Sequence, residues 1–279
     1  MSGQCTVINV NEEISAWPVG SAQAININLR ANHFVKFANW FPYYQGIRAE
    51  FGYSSEKDRE AAQILSELIK KKKKSINDKV LQKKISRKNV IIVGAGTSLE
   101  DEKVLKYLKK NTKAVKIAAD GAAEFLLEKK IKPDVVVTDL DGKPAALLSA
   151  EKRGAIMVVH AHGDNIESIK KIVPKLNKVI GTTQVMPLDN VYNFGGFTDG
   201  DRAVFLAEEF GAKKIVLVGM DLGSAIGKYS KESVKDPELK KQKMEAGKRL
   251  LEMLAKQTRS ELADTSKKPI RGFATVVLR

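Results

Sequence analysis

The sequence predicts an α/β fold: a mostly parallel sheet flanked by helices, with a helical N-terminal segment in front of it. From residue 88 onward, apolar runs of five or six residues alternate with stretches of helical periodicity, the pattern that strand–helix–strand crossovers produce. These runs are apolar at nearly every position rather than at alternate ones, as strands covered on both faces must be. Gly, Asp and His follow several of the runs directly, so the polar residues gather where strands end.

Taken in order, residues 33–53 (HFVKFANWFPYYQGIRAEFGY) concentrate aromatics, and Trp40, Phe41, Tyr43 and Tyr44 are expected to form a small core within this segment. In SSEKDREAAQILSELIK, Ser55 and Asp58 resemble a helix-capping pair, and Ala61, Leu65 and Leu68 recur at helical spacing. The run Lys70 to Lys74 reads as a solvated surface. Strands are expected at 90–94, 115–119, 134–138, 155–160, 178–182 and 214–219, with helices at 101–110, 121–130, 165–173 and 200–210. Crossovers of this length are right-handed. A helical pattern through Met244, Gly247, Leu251 and Leu254 precedes an expected last strand, FATVVL (273–278). The expected division is 1–87 for the helical segment and 88–279 for an α/β catalytic domain.

Composition narrows the classes. No apolar run approaches the roughly 18 residues that cross a bilayer. The start, MSGQCTVINVNEE, lacks the basic stretch and apolar core of a secretory signal, and Cys5 is the only cysteine, so a reducing cytoplasm is expected. Lys+Arg 48 against Asp+Glu 33 gives a net charge of +15, which favours an anionic partner. A nucleic-acid-binding module is the non-enzymatic alternative, but no motif of basic residues interleaved with stacking aromatics supports it. Abundant lysine with one cysteine also fits a protein built for high temperature.

In open α/β sheets ligands bind outside the carboxyl ends of the strands. After the first strand comes Gly94-Ala95-Gly96-Thr97-Ser98, a Rossmann-like turn that either aims backbone N–H groups at an anion or is a tight turn alone. Leu99 stands where GxGxxG has its third glycine, and GxxxxGK[ST] is not met. After the second strand comes Asp120-Gly121, after the third Thr138-Asp139-Leu140-Asp141-Gly142, and after the fourth His160-Ala161-His162-Gly163-Asp164-Asn165. Crowded carboxylates are costly unless a cation compensates them, and Mg²⁺ suits oxygen ligands shared with substrate phosphates. Capping is the competing reading for Asp164 and Asp199, and a turn for Asp120. With three His and one Cys, a closed zinc site is not expected. Further on, Gly195-Gly196-Phe197-Thr198-Asp199-Gly200-Asp201-Arg202 reads as a pocket wall, and Asp221 is one more carboxylate at a strand end.

The series AADGAAEFLLEKKIKPDVVVTDLDG, VVHAHGDN, GTTQ, NFGGFTDGDRAV, VGMDLG and IGKYS resembles the archaeal 6-hydroxymethyl-7,8-dihydropterin pyrophosphokinases, the MptE-like proteins. These are similar in turn to thiamine pyrophosphokinases, whose ADGG, GDFDS and GGRxDH elements look like counterparts of the segments around Asp120, Asp139 and Gly195. The resemblance implies a thiamine-pyrophosphokinase-like catalytic domain that passes a diphosphate from ATP to the hydroxymethyl group of the pterin and releases AMP. It further implies that Asp139 and Asp141 hold Mg²⁺, with Asp164 as a third ligand or an orienter of bound water. Asp120, Gly94, Gly96 and Ser98 would lie along ATP, whose phosphates Arg202 or Lys143 would reach. His162, Asn165, Thr183, Gln184, Asp199 and Asp201 would serve the acceptor, a carboxylate gripping the pterin's 2-amino and N3 donors.

The turn GAGTSL lacks the proline expected after its second glycine. TDLDG and HAHGDN differ from the thiamine enzymes in the direction of a pterin substrate, and thiamine remains the alternative acceptor. VGAGTSLE also resembles the first motif of S-adenosylmethionine methyltransferases, a reading that leaves the aspartates unexplained. Pairing of the thiamine enzymes implies a homodimer.

Overall fold

Residues 31–73, 76–222, 227–230 and 236–278 are described in a computed structural model of the chain. Cys5, the N-terminal stretch and Lys74 lie outside them. Two helices, α1 (Ala31–Phe51) and α2 (Ser55–Lys70), are followed by the short α3 (Lys79–Ile85). Then come β1 (Asn89–Val93), α4 (Glu102–Lys110), β2 (Val115–Ala119), α5 (Ala122–Glu128), β3 (Val135–Thr138), α6 (Pro144–Lys152) and β4 (Ile156–Ala161). The chain continues through α7 (Ile166–Ile172), β5 (Val179–Thr183), β6 (Val191–Tyr192), α8 (Asp199–Glu209), β7 (Lys214–Val218), α9 (Pro237–Ala255), β8 (Glu261–Asp264) and β9 (Ala274–Thr275). No helix among the described residues is long and apolar enough to cross a membrane.

The nine strands form one sheet in the order β6-β5-β4-β3-β2-β1-β7-β8-β9, and every adjacent pair is parallel. The α/β expectation holds. The chain winds outward from β1 to β6, then returns to lay β7 on the other side of β1, so the winding reverses between β1 and β7. Such a switch point splits the loops at the strand ends and opens a crevice there.

Period-two alternation sorts the core into two layers. Ile91, Val93, Ala118, Val136, Met157 and Val159 face a cluster that includes α1, α2, α4, α5, α6 and α7. Val90, Ile92, Ile117, Val135, Val137 and Val158 face the other, completed by α3, α8 and most of the buried face of α9. Because strands bury both faces, their sequence shows no alternation of apolar and polar residues even though their packing alternates. Trp40 and Tyr44 are buried in the same cluster as the sheet, while Tyr43 is 45% exposed. The aromatics of α1 therefore join the sheet's core rather than closing a separate one.

Several elements depart from expectation. Helix α6 between β3 and β4 was not anticipated. It opens on Pro144 at its first turn, where a proline costs no hydrogen bond, and its apolar stripe is weak. Strand β6 is two residues long, and β8 begins on Glu261 and ends on Asp264, so neither shows an apolar run. FATVVL is strand only at Ala274–Thr275. It is a sheet edge with one neighbour, and Val277 stays 78% exposed. Ser54, not Ser55, caps α2 by accepting the Lys57 N–H at 3.3 Å, while Asp58 turns inward.

Candidate active site

Strand β2 ends at Ala119, and Asp120 follows with φ +38. Strand β3 ends at Thr138, and Leu140 between the two aspartates adopts φ +67 with its side chain buried. Leu140 anchors that turn in the core, which leaves Asp139 and Asp141 flanking it at the surface of the crevice. Thr138 Oγ1 donates to Asp120 Oδ1 and accepts from the Leu140 N–H at 2.8 Å, tying the two strand ends together. A Cβ on Gly142 would lie 2.4 Å from Asp120 Oδ2, so only glycine lets Asp120 approach. As a result, one oxygen from each of Asp120, Asp139 and Asp141 falls within 4.8 Å of the others.

This crowding has electrostatic consequences. Burial first, then the charges of Asp139 and Asp141, push the Asp120 carboxyl up to about 8, against the hydrogen bond from Thr138. Asp199, at the first turn of α8, is raised well above the usual carboxylate range by burial and then by Asp139, Asp120 and Asp141, with Arg202 acting the other way. Carboxylates at such spacing are the donor set a hard divalent cation satisfies.

A cleft of about 580 Å³ opens over this cluster. Of the anticipated residues, Gly94, Gly96, Asp120, Asp139, Asp141, His162, Gln184 and Asp199 line it. His162 Nε2 lies 3.5 Å from Asp139 Oδ2. The others lie elsewhere. Asp164, its side chain 67% exposed, lies within the short 3-10 turn Gly163–Asn165, where its N–H meets His162 Nδ1 at 3.3 Å, so Asp120 rather than Asp164 completes the carboxylate cluster. Asn165 is buried, donating to Asp139 O at 2.6 Å and His160 O at 2.7 Å. It clamps the ends of β3 and β4 and sets the backbone of Asp139. Thr183 is buried, and its Oγ1 accepts the Val185 N–H at 3.3 Å.

Asp201 caps α8. Its carboxylate accepts the Phe197 and Thr198 N–H groups at 2.5 and 2.8 Å, and Thr198 Oγ1 as well. One helical position on, Arg202 turns under the cleft and is only 1% exposed. It donates to Phe197 O at 3.0 Å and Gly195 O at 3.4 Å. A Cβ on Gly196 would come 2.5 Å from Arg202 Cα, so this glycine, at φ +86, lets the loop close onto the helix. The expectation that Arg202 contacts a ligand phosphate is thereby corrected: its charge acts from beneath the floor. Lys143 lies outside the lining and pairs with Glu124 at 2.9 Å.

The Gly-rich turn takes the second of its two expected readings, a tight turn. Gly94 N–H and Gly96 N–H donate to Val218 O and Gly219 O, both at 2.8 Å. A Cβ on Gly94 would lie 2.5 Å from Gly219 O, so the glycine permits close approach of the β1 and β7 ends. The Ser98 N–H, at the start of the short helix Thr97–Glu100, donates to Asp221 Oδ2 at 2.6 Å. The position an anion would take is filled by the chain's own carboxylate, and Ser98 falls outside the lining.

Three contributions escaped sequence reasoning. Tyr53, after α1, and Phe197 form an aromatic wall with ring centroids 6.1 Å apart. Lys240 and Lys243 on α9 are the lysines among the described residues lining the cleft, and Lys243 Nζ sits 5.3 Å from the Tyr53 ring centroid. Asp58 on α2 accepts from Tyr44 Oη, Gln184 Nε2 and the Gly163 N–H. Lysines three apart on α9 were a weak signal for the second; Phe197 stood in the expected pocket wall and Asp58 in the capping pair, but nothing joined them to Tyr53 or Gln184.

A parallel sheet with a switch point, and three mutually close carboxylates at its crevice, define an α/β protein with an acidic cleft where such folds bind ligands. The family model described as 6-hydroxymethylpterin diphosphokinase MptE-like matches residues 60–227. The chain is 47% identical over 241 residues to the 6-hydroxymethyl-7,8-dihydropterin pyrophosphokinase of Pyrococcus furiosus, covering 83% of this chain and 100% of that protein. It is 45% identical over 227 residues to the protein of that name from Methanocaldococcus jannaschii (77% and 94% of the two chains) and 39% identical over 221 residues to that of Methanothermobacter thermautotrophicus (77% and 93%). The chain belongs to the MptE-like family of 6-hydroxymethylpterin diphosphokinases.

Proposed function

We propose that the chain transfers the diphosphate of ATP to the hydroxymethyl group of 6-hydroxymethyl-7,8-dihydropterin, giving AMP and the pterin diphosphate, with Mg²⁺ as cofactor. The activity for which its relatives are named supports the pterin and the diphosphokinase chemistry. The observation that carries the reading is the Asp120–Asp139–Asp141 cluster at the strand-end crevice, since these oxygens match the donors Mg²⁺ prefers. When bound there, the metal supplies neutralisation of charge on phosphate oxygens.

The chain's own residues do the rest. Lys240 and Lys243 meet the anionic phosphates, a task for which Arg202 and Lys143 are misplaced. Tyr53 and Phe197 offer flat apolar faces to an aromatic ring. Asp199, its carboxyl raised by burial and by its neighbours, takes the proton from the hydroxymethyl oxygen as that oxygen attacks phosphorus.

Incubation with Mg²⁺, ATP and the hydroxymethyl-dihydropterin is expected to yield AMP and pterin diphosphate in equal amounts. Formation of ADP would overturn the diphosphate transfer, and turnover of thiamine in preference to the pterin would overturn the acceptor.

A further inference from the structure

Asp58 lies on α2, 126 residues from Gln184 in sequence, and is 2% exposed. Its Oδ2 accepts from Gln184 Nε2 at 2.7 Å and Tyr44 Oη at 2.9 Å, and its Oδ1 accepts from the Gly163 N–H at 2.8 Å. Gln184 follows β5 and lines the cleft. A carboxylate engaged by three donors offers lone pairs only, so the NH₂ of Gln184 must face Asp58. That assigns the two ends of the amide through the network and leaves Oε1 as its acceptor end, with the Gln184 side chain beside the His160 ring. On the neighbouring strand β4, His160 also lines the cleft. It is 3% exposed, and its Nε2 is buried with no hydrogen-bond partner among the described residues. Buried polar atoms are rarely left unsatisfied, so this one marks a place where a ligand's polar group belongs.

We propose that Asp58 is a positioning residue of the acceptor subsite: it orients Gln184 so that the amide carbonyl, together with His160, receives the adjacent N–H donors of the acceptor's pyrimidine ring. The inference rests on the pterin reading above, because a 2-amino-4-oxo-pyrimidine edge presents two neighbouring donors, N3–H and the 2-amino group. It replaces the expected carboxylate grip with neutral acceptors whose direction is set from a helix outside the strand-end loops.

The test is equilibrium binding of the pterin, followed by its own fluorescence, with ATP affinity measured in parallel. Asp58→Asn offers Gln184 a donor in place of an acceptor and lets the amide reverse. It is expected to weaken pterin binding roughly 10-fold or more while ATP affinity changes less than about 2-fold, since a reversed amide sets donor against donor. Tyr44→Phe removes a different donor from the same carboxylate oxygen and is expected to leave pterin binding unchanged. Gln184→Leu, which leaves Asp58 intact, is expected to weaken pterin binding as Asp58→Asn does, and it decides the matter should Asp58→Asn fail to fold.

Equal losses for pterin and ATP in Asp58→Asn, an equal loss in Tyr44→Phe, or normal pterin binding by Gln184→Leu would overturn the proposal. Absence of AMP formation by the wild-type protein would instead overturn the function reading, and the binding comparison would still judge Asp58.

Discussion

Asp120 is the residue at which burial and charge conflict most plainly. Its carboxyl has an ordinary value of 3.8 and stands at about 8 in the folded chain. Between those values the folded state keeps a proton that the unfolded chain releases, so the stability of the metal-free protein falls as pH rises from about 4 to about 8. Asp120→Asn is expected to flatten that part of the profile relative to wild type; denaturant titrations in the presence of a chelator at pH 5 and pH 8 check it, and parallel slopes would reject it. Asp139→Asn or Asp141→Asn is expected to lower turnover at least about 100-fold with the fold retained, as loss of a metal or electrostatic contact at a reacting phosphate commonly does. Near-normal turnover with unchanged Mg²⁺ dependence would contradict their assignment. At this scale the sequence was informative wherever a carboxylate directly follows a buried strand. TDLDG could be recognised because its strand is apolar throughout. Asp164 and Arg202 were misplaced because linear spacing does not say which way a turn or helix rotates a side chain. Asp164 sits on the solvent side of the 3-10 turn Gly163–Asn165, and Arg202 lies three residues beyond Asp199, on the face of α8 that turns under the cleft floor.

Among elements, α9 presents to the cleft the positive charge that the Gly-rich turn does not. The amides of Gly94, Gly96 and Ser98 are committed to β7 carbonyls and to Asp221, so backbone N–H groups there are taken, whereas Lys240 and Lys243 face the cleft from the helix. Replacing both lysines with glutamine is expected to raise the KM for ATP about 10-fold, leave that for the pterin within about 2-fold, and reduce the salt dependence of ATP binding, since two cations no longer meet the phosphates. Steady-state kinetics at two ionic strengths check it, and an unchanged KM for ATP would remove α9 from the nucleotide's path. Six of the nine strands were legible because burial on both faces leaves continuous apolar runs. Strand β8 was not, since Glu261 and Asp264 bracket only two apolar residues. FATVVL misled in the opposite direction: its residues favour a strand, but the sheet edge supplies a single partner and the pairing stops after Thr275.

At the scale of the molecule, the reversal between β1 and β7 opens the crevice, while α1 and α2 hold its far wall. Leu65 and Ile69 of α2 are fully buried against the sheet, and a Cβ on Gly181 of β5 would come within 3.1 Å of the Leu65 side chain and 3.0 Å of that of Ile69. Strand β5 leads directly into Gln184, so a helix before residue 88 and a cleft residue after β5 share one packed interface. A division of the chain at 88 would cut that interface, leaving the α2 face of β5 exposed to water. Burial of this kind makes the two parts open together, because neither keeps its apolar partner when the other leaves. Leu65→Ala is expected to cost about 2–5 kcal/mol, and the loss should appear in both parts at once. Measured by hydrogen exchange, amides of Val179–Thr183 and of α2 should lose protection by the same factor. If only α2 lost protection while β5 kept its own, the N-terminal helices would be an appendage laid on a sheet that folds without them.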